Sequence, residues 1–191
     1  DALPILTLQL STKTWNFDIV PCFITHADVL GRSYYLIPDG SGNWKKTDPR
    51  IDKARTTEIN VKNSGNMLNV IRAVKYWQTT KALPSIGSYL LETLILNYYE
   101  HRTTCQQWVD LELEGLFNHL SFYNRYSVND HKNIQGDINH LSYEAREKIS
   151  QKFSSEALKV SEARGLEKNN EHQKSINKWR EIFGSDFPAF G

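Results

Sequence analysis

The sequence predicts an α+β fold, with strands first and helices after. Three observations carry this: a strand-forming N-terminal third, a change to helical spacing near residue 64, and a helix cap and a helix stop in the C-terminal half. Ile5 to Leu10 and residues 15–20 are two β-rich runs separated by the polar, turn-like Ser11-Thr12-Lys13-Thr14, which predicts an antiparallel hairpin or meander. Ser33-Tyr34-Tyr35-Leu36-Ile37 predicts a third strand, and Pro38-Asp39-Gly40-Ser41-Gly42-Asn43 behind it is among the strongest turn signals in the chain. Thr47-Asp48-Pro49 argues against a helix passing through that point, because the residue before a proline prefers extended backbone.

From about 64 to 82, Met67, Val70, Ile71, Val74 and Trp77 or Gln78 recur at three and four residues and Pro84 marks the end, which predicts an amphipathic helix. A second helix is expected from near Ser88 to Tyr99, with Leu90, Leu91, Leu94, Ile95 and Tyr98 on a broad apolar face, and a third over Cys105 to Tyr123. The polar stretch 127–137 with Gly136 reads as a loop. Ser142 caps a long helix with Glu144 in its first turn and Ala145, Ile149, Phe153, Ala157 and Val160 along one side. A last helix of about 166 to 183 carries Ile176, Trp179, Ile182 and Phe183 ahead of Gly184, and Phe187 and Phe190 are expected to fold back as anchors. The expected division is a strand-bearing domain, 1–62, and a helical domain, 63–191.

Composition narrows the function classes. At 191 residues with 39% hydrophobic and 24% charged side chains, a folded core is expected, and no apolar run approaches the roughly 20 residues of a membrane span. The 23 basic and 22 acidic side chains leave a net charge of +1, too little to recruit nucleic acid through the whole-chain field, so no stable nucleic-acid binding is expected. Cys22 and Cys105 suggest neither a disulfide framework nor a zinc site, and a reducing cytoplasm is the natural compartment. The N-terminus does not resemble a signal peptide, and a first residue so close to a strand suggests a chain that begins inside a domain.

Two groups of residues could carry chemistry. Asp18 lies among the strand-forming Phe17, Ile19 and Val20, with Pro21 ending the strand, so it reads either as a metal ligand on a sheet edge or as a solvent-facing carboxylate on an edge strand. Lys75 and the pair Ser88-Tyr89 are brought together by the short connection Ala82-Leu83-Pro84-Ser85-Ile86-Gly87. A helix start with its free N–H groups, a hydroxyl and an ammonium could hold a triphosphate while Tyr89 stacks on a base. The same residues could equally be an N-cap, a solvated lysine and a core tyrosine. The six histidines have no ligand or triad spacing, and neither a Gly-rich phosphate loop nor a G-x-S-x-G elbow is present.

Taken in order, Asp18-Ile19-Val20-Pro21, Tyr35-Leu36-Ile37-Pro38-Asp39-Gly40, Trp44, Thr47-Asp48-Pro49, Ile71-Arg72-Ala73-Val74-Lys75-Tyr76-Trp77, Ser88-Tyr89-Leu90-Leu91-Glu92 and Trp179-Arg180-Glu181-Ile182-Phe183-Gly184 resemble one family nearly end to end. It is the cGAS/DncV-like nucleotidyltransferases of bacterial anti-phage defence. The resemblance implies part of a polymerase-β-like nucleotidyltransferase sheet over 1–62, and a helical domain over 63–191 that completes a nucleotide-binding cleft. It implies synthesis of a cyclic di- or oligonucleotide second messenger from nucleoside triphosphates, with an activating partner protein as a further candidate. By the same resemblance Asp18 is the third catalytic carboxylate of a two-magnesium site, Lys75 and Ser88 contact the donor phosphates, and Tyr89 stacks on the base.

One departure qualifies this. The family's upstream Gly-Ser loop and acidic pair are absent from these residues, so the chain resembles the C-terminal two-thirds of such an enzyme and is expected to be inactive alone. An RNA-tailing nucleotidyltransferase and a non-catalytic nucleotide- or partner-binding module are the competing readings. The first needs a basic RNA track that the near-neutral charge does not supply.

Overall fold

The computed structural model describes residues 6–9, 16–81, 84 and 86–191. They form two compact units, residues 1–53 with 130–135 and residues 54–129 with 136–191.

The first unit is built from two small antiparallel sheets. Strands β1 (Leu6–Gln9) and β2 (Asn16–Ile19) pair as the hairpin the sequence predicts, in a register that sets Leu8 opposite Phe17 and Thr7 opposite Asp18. The turn at Ser11-Thr12-Lys13-Thr14, with its flanking Leu10 and Trp15, lies outside the described residues, as do Asp1 to Ile5. Strands β3 (Phe23–Ile24), β4 (Tyr35–Pro38) and β5 (Trp44–Thr47) make the second sheet in that order. The β4–β5 turn follows from its residues. Gly40 and Gly42 take φ of 88° and 93°, and Asp39 Oδ1 accepts from the backbone N–H of Ser41 and Asn43 at 2.8 and 3.0 Å.

Helix α1 (Pro49–Lys62) starts where the sequence reading placed only a break. Proline is suited to a first helical position, and Asp48 ahead of it accepts from the Arg50 N–H at 3.1 Å and pairs with the Arg50 guanidinium at 2.8 Å. That guanidinium bond, above all, holds the Asp48 carboxyl below the ordinary aspartate value against the opposing effect of burial. Farther along the chain, Asp130 accepts from the backbone N–H groups of Lys132, Ile134 and Gln135, and the buried Lys132 ammonium pairs with Asp130 at 3.2 Å and Asp52 at 2.9 Å. This network fastens the segment 130–135 to the first turn of α1.

The second unit is helical: α2 (Met67–Thr79), α3 (Ser88–Glu100), α4 (Asp110–Tyr123), α5 (Tyr143–Lys168) and α6 (His172–Phe183). Met67, Val70, Val74 and Trp77 of α2 are fully buried, as their spacing predicts. Trp77 stands 5.2 Å from Phe117 and 5.1 Å from Phe153 by ring centroids, so three helices meet on three aromatic rings. Its indole N–H donates to Glu156 at 3.1 Å, and this fully buried carboxylate also takes Lys152 at 2.9 Å and Lys159 at 3.2 Å.

Ser142 caps α5 as expected, accepting from the Ala145 N–H at 3.2 Å. That helix runs to Lys168, past the expected start of the last one. A turn through Asn170, at φ 62°, separates the two, and α6 begins at His172 rather than near 166. Gly184, at φ 88°, ends α6. Phe187 packs on Phe183 at 6.0 Å, whereas Phe190 is half exposed and so is not the buried anchor the sequence predicts. Among the described residues no helix is long and apolar enough to cross a membrane.

Removing the Glu156 side chain leaves Lys152, Lys159 and the Trp77 N–H without their common acceptor. Glu156→Ala is expected to cost about 3–5 kcal/mol in urea unfolding followed by circular dichroism. Burial pushes the Glu156 carboxyl up, but hydrogen bonds from Lys152 and Trp77 and the charges of Lys81 and Lys152 outweigh it and hold it below the ordinary value. The contribution is therefore present above the unfolded-state value of about 4.3 and lost as pH falls through the lower folded-state value. Unfolding free energy measured between pH 6 and 3 should fall less steeply in Glu156→Gln than in the parent protein.

Candidate functional site

The candidate residues divide between the units: Asp18 is in the first, and Lys75, Ser88 and Tyr89 are in the second. Each group has its own geometry.

Alternation along the β1–β2 hairpin puts Leu8, Phe17 and Ile19 on one face and Thr7 and Asp18 on the other. Asp18 is exposed, one residue before the end of β2, and Oδ1 accepts from the Thr7 hydroxyl at 2.8 Å. The carboxylate thus stands on a polar face at a strand end rather than in an apolar setting. Thr7 holds one oxygen in place, a partner that only the strand register reveals. Among the described residues, no group of three or more His, Cys, Asp or Glu side chains could hold a metal ion.

In the second unit, Lys75 projects from α2 and its Nζ donates to Glu92 Oε1 of α3, with the two side chains 38% and 35% exposed. Gln78, three residues on, donates from Nε2 to the Ile86 carbonyl at 2.8 Å, which fixes the last turn of α2 beside the start of α3. Within the connection between them, Ala82, Leu83 and Ser85 lie outside the described residues. Gly87 is the N-cap of α3, with φ −54° and ψ 137°, and Ser88 is the first helical residue with an exposed side chain. The Ser88 hydroxyl therefore does not serve as a side-chain cap. Tyr89 is half-buried and packs against the core. Glu92 follows Ser88 by four residues and so shares its face one turn along. Glu92 has no role in the sequence pattern, where the one signal for it is its four-residue spacing from Ser88.

A groove of about 1360 Å³ opens elsewhere in this unit, with Tyr76, Trp108, Arg164, Trp179 and Phe187 among its walls. Lys75, Ser88 and Tyr89 do not line it.

No family model matches the chain. It is 46% identical over 187 residues to a probable cyclic nucleotide synthase of Bacillus cereus (strain VD146), covering 96% of this chain and 55% of that protein. It is 32% identical over 165 residues to a cyclic AMP-AMP-GMP synthase of Enterobacter hormaechei subsp. hoffmannii (strain UCI 50), covering 82% and 43% respectively. The chain thus spans about half the length of the curated relatives it matches. Among solved structures, E. coli MS115-1 CdnC with ATP superposes with a TM-score of 0.74 at 13% identity, over 97% of this chain and 64% of that one. The complex of CdnC with HORMA-deltaN gives 0.72 at 12% identity, over 96% and 63%. The fold is shared with this part of CdnC, and the sequence resemblance to the cGAS/DncV-like nucleotidyltransferases holds along nearly the whole chain.

Because Gly87 caps α3 and the Ser88 side chain is exposed, Ser88→Ala should change unfolding free energy by no more than about 0.5 kcal/mol in urea titrations. A Ser or Thr cap replaced by Ala costs about 1 kcal/mol, so the experiment separates the two placements.

Proposed function

We propose that this chain is part of a nucleotidyltransferase that joins nucleoside triphosphates into a cyclic di- or oligonucleotide messenger, acting in the cytoplasm in defence against phage. Similarity along nearly the whole chain to relatives named as cyclic nucleotide synthases carries the reading. The reading divides the parent enzyme as follows. Residues 1–62 contribute the C-terminal part of the nucleotidyltransferase core, and residues 63–191 the helical domain that completes the nucleotide-binding cleft.

In this reading Asp18 supplies one carboxylate of the catalytic centre. Its exposed position at a strand end, with one oxygen tied to Thr7, suits a group that must meet a ligand. Asp18 by itself does not fit a two-magnesium site, which needs several oxygen ligands, so the remaining donors are assigned to parts of the parent protein beyond these residues, and no step is derived through the metal.

Lys75 and Ser88 would contact the phosphates of the donor nucleotide. The Ser88 hydroxyl stands at the start of α3, where the helix's partial positive charge favours an anion, and the Lys75 ammonium meets the same helix at Glu92. Tyr89, half-buried beside them, would offer its ring to the base. CdnC has been solved with ATP and in complex with HORMA-deltaN, which supports ATP as one substrate and an activating protein as a partner of this chain's parent enzyme.

Asp18→Asn tests the reading. In the intact protein supplied with magnesium and nucleoside triphosphates, the substitution should lower cyclic product by more than about 100-fold, since lesser changes around metal centres already cost 10–100-fold. The side chain is exposed and Asn can still accept from Thr7, so the thermal midpoint should be nearly unchanged. Undiminished synthesis by a folded Asp18→Asn protein would refute the role.

A further inference from the structure

We propose that Glu92 is a positioning residue for Lys75: it holds the ammonium against α3, one turn along from Ser88, before a nucleotide arrives. The inference rests on the reading of Lys75 as a phosphate contact and adds a residue to that site.

Four observations meet at this pair. Lys75 Nζ donates to Glu92 Oε1 across the α2–α3 contact, and both side chains are about one-third exposed, 38% and 35%, so the pair is open to a ligand rather than sealed in the core. Glu92 and Ser88 are four residues apart on one helix and share a face. Gln78, one turn beyond Lys75, is bonded to the Ile86 carbonyl just ahead of α3, a second tie between α2 and the start of α3 on the side of the pair. Trp77, two residues beyond Lys75, is fully buried between aromatic rings of α4 and α5, which fixes the rotation of α2 about its own axis.

The chemistry follows from the lysine side chain. A free ammonium on a four-carbon stem samples many rotamers, and binding must remove that freedom. One N–H committed to Glu92 selects the rotamers that lie along α3, and the other two N–H groups remain for phosphate oxygens. Glu92 touches no phosphate in this arrangement. It acts through Lys75, and the cost of its negative charge near a triphosphate is offset because the charge is already paired.

The test is a double-mutant cycle in the intact protein, with MgATP as the probe. Lys75→Met should raise KM for ATP, and Glu92→Gln should raise it about two- to fivefold with kcat nearly unchanged, the size a half-exposed ion pair supports. The combined variant should be no worse than Lys75→Met alone, because Glu92 has nothing left to position. Thermal midpoints of all three should stay close to the parent's. If Lys75→Met leaves KM unchanged, the phosphate-contact reading fails and the inference with it. If Lys75→Met raises KM while Glu92→Gln leaves it unchanged or lowers it, the reading stands and the inference fails. An equal loss from Glu92→Gln in the Lys75→Met background would mark Glu92 as acting independently and would also overturn it.

Discussion

Everything the helical unit presents depends on the burial of Trp77. Its ring meets Phe117 and Phe153, and its N–H ends on Glu156, a carboxylate with no exposed surface that Lys152, Lys81 and the indole together hold below its ordinary value. A buried aromatic fixes more than position. Its shape admits one rotation of α2, and the single hydrogen bond to α5 specifies which. With α2 so fixed, Lys75 meets Glu92 of α3, one turn along that helix from Ser88. The polar network around Glu156 is best understood as specifying this arrangement. An apolar replacement of the whole cluster need not be less stable, but it would not choose one rotation.

The first unit is held together differently. Every buried hydrophobic side chain among the described residues belongs to the second unit, from Ile59 to Phe183. In the first, the buried side chains among the described residues are polar or charged: Asp48, Asp130 and Lys132. Turns, a helix-capping carboxylate and a buried lysine between two aspartates organise it. Meanwhile Leu8, Phe17 and Ile19 on one hairpin face stay about half exposed. An apolar face of this kind is what a larger sheet-and-helix domain covers, which accords with a chain that spans about half of its relatives.

The parts of the fold governed by local rules were legible in the sequence. The period of Val70, Val74 and Trp77, the Ser142 cap and the Gly184 stop each need only a few neighbouring residues to be read. Helix α1 was hidden because its exposed, charged run Pro49 to Lys62 has almost no apolar stripe, and buries only Arg55 and Ile59. The start of the last helix was placed too early, near 166 instead of His172, because Asn169-Asn170 turns without a glycine or proline to announce it. Of the candidate site, the residue types and the short α2–α3 link were legible. The partners were not: Thr7 meets Asp18 through strand register, and Glu92 meets Lys75 through the packing of two helices, neither of which a linear pattern encodes.

The most direct test of the central claim is mass spectrometry of the small-molecule products formed when the intact protein, with its partner protein if one is required, is incubated with magnesium and the four nucleoside triphosphates. The account predicts a cyclic di- or oligonucleotide, a closed ring of nucleoside monophosphate units with no terminal triphosphate. With RNA also supplied, nucleotides appended to it and no cyclic product formed would contradict it.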